Sequence, residues 1–138
     1  MHAERMLAGA RAMFANPEIA PLERIRRFSE RFLTLFSDPA HPLSASGCPI
    51  GNLVQELATA NPAFRQRLDG VLTGMEEHLA QALRQAREAG EIPARLDPDE
   101  TARFITSSWQ GAILRAKAAG NSAPLARCRD FILNEVLR

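Results

Sequence analysis

The chain has few of the residues that staple a small fold or hold a metal. Its two cysteines, Cys48 and Cys128, lie far apart in sequence and suit a reducing compartment rather than a disulfide framework. Its three histidines, His2, His41 and His78, are scattered, with no His-Glu-x-x-His run and no paired cysteines. The ligand spacing of a zinc site is therefore missing, and no metal or cofactor is expected. The Gly-x-Ser-x-Gly elbow, the P-loop and the dinucleotide fingerprint are missing too. With no convincing nucleophile, base or metal constellation, an enzyme is not expected. No run of about 20 apolar residues is present to span a membrane. The start, Met1-His2-Ala3-Glu4-Arg5, leads into mixed polar sequence rather than a signal peptide, so the cytoplasm is the expected location. Charge of one sign is also lacking, because 17 Lys and Arg stand against 16 Asp and Glu. A free-standing nucleic-acid binder carries a basic face, so these residues alone are not expected to bind DNA. No stretch sustains the period of two that marks a strand.

The 138 residues are 46% hydrophobic and 24% charged, enough for one domain with its own core. Apolar residues recur at helical spacing almost throughout, which predicts an all-α antiparallel bundle of about six helices. The first, over 3–15, carries Met6, Ala10, Met13 and Phe14 on one stripe. It begins without a Ser, Thr, Asp or Asn cap, as a helix entered from an upstream segment would. Asn16-Pro17 breaks it. A second helix over 21–36 buries Leu22, Ile25, Phe28, Phe32, Leu35 and Phe36. Arg24, Arg26, Arg27 and Arg31 share that helix with Glu23 and Glu30, which stand at pairing distance from Arg27 and Arg26, and the set reads as a solvated face. Residues 37–47 read as a loop. A short helix over 49–60 follows, with Cys48 just before it as a small buried residue. Asn61-Pro62 then opens a long helix over 62–89 with Phe64, Leu68, Leu72, Met75, Leu79 and Leu83 on its stripe. Gly70 and Gly74 inside it imply a bend or a close helix approach. His78, one turn after Met75, reads as a partly exposed structural side chain. Asp97-Pro98-Asp99-Glu100 is the clearest start signal, a capping box opening a helix over 98–119. A last helix runs over 124–137.

The last two helices carry apolar residues on two sides. On the first of them, Ile105, Trp109, Ala112, Ile113 and Ala116 form a bulky face, and Ser107, Gly111, Leu114 and Ala118 form a second face of mostly small residues. The terminal helix presents Leu125, Cys128, Ile132 and Val136 on one side and Ala126, Leu133 and Leu137 on another. A surface helix needs one buried stripe, so the extra faces predict a partner. The dimer seam is expected at Ser107, Gly111, Leu114, Ala118, Leu125, Cys128, Ile132 and Val136, as a four-helix interface with a second copy.

The run Gly47-Cys48-Pro49-Ile50-Gly51-Asn52-Leu53 opening a helix, Asn61-Pro62 opening a long one, and Trp109-Gln110-Gly111-Ala112 followed by Lys117 and Pro124-Leu125 resemble one family. They are similar to the C-terminal regulatory domain of the Tet repressor (TetR) family of transcriptional regulators, across the whole chain. The resemblance implies an inducer-binding domain that dimerises through its last two helices, while an N-terminal helix-turn-helix domain reads the operator. No helix-turn-helix is legible in these residues. The first helix is thus expected to be a truncated linker, and operator DNA would be reached only through a separate N-terminal domain.

Together these readings predict a homodimeric sensor of a small apolar or aromatic effector, with no membrane partner. Its pocket is expected among Phe28 and Phe32 of the second helix, Asn52 and Leu53 of the third, Leu72, Met75 and Leu79 of the fourth, and Ile105, Ser108 and Trp109 of the fifth. Asn52 would orient the ligand, since apolar pockets gain specificity from a few polar groups. The alternative is a helical homodimeric interaction module with a filled core and no pocket.

Overall fold

The computed structural model describes residues 2–138, without the side chains of His2, Ala3, Met6 and Ala45; the expected contribution of Met6 lies outside the described residues. The described elements are all helical: α1 (His2–Phe14), α2 (Pro21–Ser37), α3 (Pro42–Ser46), α4 (Pro49–Leu57), α5 (Pro62–Glu88), α6 (Pro98–Ala119) and α7 (Ala123–Phe131), closed by a π-helical turn (Ile132–Val136). Five of the nine prolines stand at the first position of a helix. Proline costs nothing there, because the first N–H has no partner within the helix and φ is already helical. Side-chain caps sharpen three of these starts, two of them through Asn61 and Asp97 and the third through His41 of α3. Asn61 Oδ1 accepts from the N–H groups of Ala63 and Phe64, and Asp97 Oδ1 from those of Asp99 and Glu100. Glu100 does not close the expected capping box; its carboxylate pairs with Arg103 one turn on. At the far end of α5, Gly90 takes φ +73°. The Glu91 N–H reaches back to the Ala86 carbonyl at 2.8 Å, which satisfies the last turn.

α3 corrects the expected loop over 37–47. His41 caps it through Nδ1, which accepts from the Leu43 N–H at 3.2 Å, and Gly47 ends it at φ +76°. Histidine is not among the usual capping residues, so in the sequence this short helix is marked by Pro42 alone. The terminal helix is the second correction. The Leu137 N–H bonds to the Ile132 carbonyl five residues back, at 3.0 Å, and this wider turn brings both Ile132 and Leu137 into the core. Leu125 is buried as well, and Cys128 and Val136 pack against the chain's own core. The face expected to meet a partner at Leu125, Cys128, Ile132 and Val136 thus belongs to this chain's interior. The exposed side of α7 carries Arg127, Asp130 and Phe131 instead.

α5 is the axis of the bundle, with α1, α2, α4 and α6 packed along its length of about 40 Å at 1.5 Å per residue. Gly74 gives α1 its close approach: a Cβ there would come within 3.0 Å of the Leu7 side chain. Gly70 has open space beside it, and nothing in the structure explains it. The core divides into two clusters. One gathers Phe14, Ile25, Phe28, Leu79, Leu83 and Ile105, and the other Phe36, Cys48, Ile50, Leu68, Ile113 and Leu125; Phe32 and Cys128 touch both.

The solvated face expected on α2 holds only in part. Glu23 takes both Arg26 at 3.3 Å and Arg27 at 3.2 Å, and among the described residues Glu30 pairs with neither. Arg24 is buried. Its Nε donates to the Ile19 carbonyl at 2.7 Å, and one terminal nitrogen donates to the Phe14 carbonyl at 3.0 Å and to Gln85 Oε1 of α5.

Candidate ligand pocket

The second helix places Phe28, Phe32 and Phe36 one turn apart on one face, and the rings form a ladder. Phe28 meets Phe32 at 5.8 Å and Phe32 meets Phe36 at 5.4 Å between centroids. Phe14 of α1 and Trp109 of α6 close on Phe28 from either side, at 4.6 and 5.1 Å. These tilted and stacked arrangements suit the ring quadrupoles.

Two spaces lie against the ladder. The outer is a half-open pocket of about 420 Å³ between α1, α2, α3 and the start of α4. Ala10, Met13, Phe28, Phe32, Leu35 and Leu43 supply its apolar wall, and Arg5, Arg31 and His41 its polar groups. The inner is a cavity of about 20 Å³, room for roughly one water. Leu72, Thr106, Trp109, Gln110 and Ile113 line it, and Phe28, Phe32, Cys48 and Met75 border both spaces as a shared partition. The inner cavity draws its lining from both core clusters, so it sits where the clusters meet.

The inner cavity has a polar side. Gln110 Nε2 donates to Cys48 Sγ at 3.6 Å, and the Thr106 hydroxyl lies 3.0 Å from the Ala102 carbonyl and 3.2 Å from a Glu76 carboxylate oxygen. Gly51 makes room for Gln110, because a Cβ at that position would stand 2.5 Å from Gln110 Oε1. Among the described residues no group of His, Cys, Asp and Glu is arranged to hold a metal ion. Cys48 is buried, and burial pushes the half-buried Cys128 thiol above its usual range. The thiolate is the reactive form. Ellman's reagent at pH 8 is therefore expected to label the native chain at least tenfold more slowly than the guanidinium-unfolded chain. Equal rates would place both thiols at the surface.

The family model for the tetracyclin repressor-like C-terminal domain matches residues 21–132. The chain belongs to this family. It is 38% identical over 112 residues to the transcriptional regulator AcuR of Cereibacter sphaeroides, covering 81% of this chain and 50% of that protein. It is 31% identical over 127 residues to the HTH-type transcriptional repressor DhaR of Mycobacterium sp. strain GP1, covering 92% of this chain and 62% of that one. The crystal structure of the regulatory protein TetR from Rhodobacter sphaeroides superposes with a TM-score of 0.81 at 31% identity, over 96% of this chain and 69% of that chain. The chain thus spans half to three-fifths of the length of these curated relatives.

Within this tetracyclin repressor-like domain, five of the expected pocket residues come together around the two spaces: Phe28, Phe32, Leu72, Met75 and Trp109. The other five do not. Leu79 and Ile105 lie on the same inward stripes but are wholly enclosed by neighbouring core side chains. Asn52 turns its amide back to the Ser46 carbonyl, and the Ser108 hydroxyl bonds to the Phe104 carbonyl at 2.7 Å. Leu53 points outward at 37% exposure. Both polar candidates spend their side chains on local backbone, a habit of Ser and Asn that sequence spacing does not reveal. Cys48, Gln110, Arg31 and His41 were not anticipated as pocket residues; Gln110 belongs to neither of the two apolar faces of α6. His78 borders a separate open groove with Leu7 and Arg11 of α1. On the outer side of α6, Ser107, Gly111, Leu114 and Ala118 are all exposed in the single chain, with Phe104 on the same side.

Proposed function

We propose that this chain is the ligand-sensing and dimerisation part of a transcriptional regulator, and that its effector enters the space around Phe28, Phe32, Met75 and Trp109. The observation that carries this reading is the two-sided character of α6. One face holds Trp109, Gln110 and Ile113 against the cavity, and the opposite face leaves Ser107, Gly111, Leu114 and Ala118 uncovered. A small molecule and a second copy of the chain would then act on one rigid helix. Membership of a family whose relatives here are named as transcriptional regulators supports the same reading. α1 packs on both α2 and α5, so a ligand between them would favour one tilt of α1 over another through differential affinity. In the whole regulator α1 would lead to an N-terminal DNA-reading domain, and the protein would work in the cytoplasm. No described helix is long and apolar enough to cross a membrane.

The small size of the inner cavity favours a second reading, a filled-core interaction module with no ligand. Met75→Trp separates the two. Met75 borders both spaces, so the larger ring is expected to fill the room a ligand needs while helicity is kept. Binding of 1-anilinonaphthalene-8-sulfonate by calorimetry is expected in the parent and to fall at least tenfold in the variant, with little change in Tm. If the core is solid, overpacking costs about 1–3 kcal/mol, and the variant melts lower with no binding in either protein. In the parent, Trp109 emission is expected to be blue-shifted and to change with the bound dye.

A further inference from the structure

We infer that the effector is an amphipathic monoanion, an aliphatic or aromatic body carrying one carboxylate, with the carboxylate held at the mouth of the outer pocket by Arg31 and Arg5. The inference rests on the sensor reading above and goes beyond it by fixing the charge and the orientation of the ligand.

The walls of the outer pocket divide by chemistry. The apolar lining is Phe28 and Phe32 of the phenylalanine ladder with Met13, Leu35, Leu43 and Met75. Among the described residues no Asp or Glu borders the pocket; its ionisable groups there are Arg5, Arg31, His41 and the Cys48 thiol. Both arginines are exposed, and neither makes an ion pair or hydrogen bond among the described residues. The contrast with their neighbours is direct: on α2, Arg26 and Arg27 share Glu23 and Arg24 bonds to two carbonyls and Gln85, while Arg31 is left to the pocket. His41 adds a donor of its own. Its Nδ1 accepts from the Leu43 N–H, so the neutral ring carries its proton on Nε2.

Two unpaired guanidinium groups beside an apolar wall make a local positive potential that an anion relieves. The planar fork of arginine matches a carboxylate through two parallel N–H···O bonds. Arg31 lies one turn from both Phe28 and Leu35 on α2, so a single helix offers the anion contact and the apolar surface side by side. A neutral ligand would satisfy the apolar wall and leave the cations as they are.

The test titrates the chain with a set of monocarboxylates of about six to ten carbons, straight-chain and phenyl-terminated, and with their primary amides, by calorimetry and Trp109 fluorescence. Expected is at least one carboxylate that binds at least tenfold more tightly than its amide, the scale of a hydrogen bond to a charged group. Arg31→Gln is expected to remove that preference, and Arg31→Lys to restore part of it, with the Tm of both variants unchanged. Phenylalkyl sulfonates serve as a second arm, since a sulfonate bound in preference to the matched carboxylate would assign the mouth to another oxyanion and overturn the carboxylate. Amides binding as tightly as acids would overturn the inference while leaving the sensor reading standing, as would an acid preference untouched by Arg31→Gln. No binding by acid or amide at 1 mM, with the dye also rejected, would overturn both.

Discussion

Gly111→Arg is expected to convert a dimer into a monomer and at the same time to raise the stability of the monomer. Both effects follow from where Gly111 stands. It lies mid-helix on the outer face of α6, and a Cβ there would meet nothing within 4 Å inside its own chain. Replacing glycine in a helix interior gains about 1 kcal/mol of helix propensity, so the isolated fold should tolerate or welcome the change. A partner seated on Ser107, Gly111, Leu114 and Ala118 would not. Near a two-fold axis each new guanidinium would face its own copy, in a seam too tight for the side chain. Burial of unpaired like charge costs several kcal/mol, and about 3 kcal/mol is already a hundredfold in Kd. Sedimentation velocity across micromolar concentrations reads the dissociation, and thermal unfolding at low concentration reads the monomer. An unchanged dimer would shift the seam toward Phe104 or toward Phe131 on α7, which are 51% and 58% exposed in the single chain.

The second large effect is expected at Arg24. Arg24→Met keeps most of the volume and removes every donor. The Phe14 and Ile19 carbonyls and the Gln85 amide oxygen would each lose a partner in a place with little water. Phe14 is the last residue of α1, so its carbonyl is one that no N–H further along the helix satisfies. A buried acceptor left without a partner costs about 1–3 kcal/mol. Partial hydration and rearrangement reduce the sum, and we expect a loss of about 3 kcal/mol and a fall in Tm of roughly 10 °C. Arg24→Lys is expected to fall between the two, since one ammonium cannot reach three acceptors fixed around a planar fork. A fall of under 2 °C for Arg24→Met would mean that the three acceptors find water at no cost.

The helical architecture was legible because its boundaries are chemical. Proline at first positions, Asn61 and Asp97 as caps and Gly90 and Gly120 as stops all act within a few residues of themselves. The outward strip of α6 was legible for a similar reason, since a helix has one period and its faces follow from it. What failed was whatever depends on a distant partner. Arg24 reads as surface until Gln85, 61 residues away, comes beside it. On α7 the wheel grouped Leu125, Cys128, Ile132 and Val136 on one face but could not tell that this face turns inward, and the π turn after Phe131 adds Leu137 to it. In the pocket, periodicity identified the inward stripes and could not tell an enclosed Leu79 from a cavity-lining Met75. Both lie on the same face of α5, one turn apart. Empty space is a property of the sum of side-chain volumes, and no single residue encodes it.

That empty space has a mechanical consequence. Protein interiors are nearly incompressible where packing is complete, and here a cavity of about 20 Å³ lies where the two core clusters meet. Hydrostatic pressure acts on voids, so its first effect on this chain should be a slide of Phe32 and Met75 into the gap, ahead of any loss of helix. Methionine is well suited to such travel, being unbranched and tolerant of many rotamers. The same softness bears on divergence. Side chains at the gap can change size without disturbing Ile25, Leu79 or Leu83 at the cluster centre, so related sequences can retune what the gap admits while the scaffold around it stays the same.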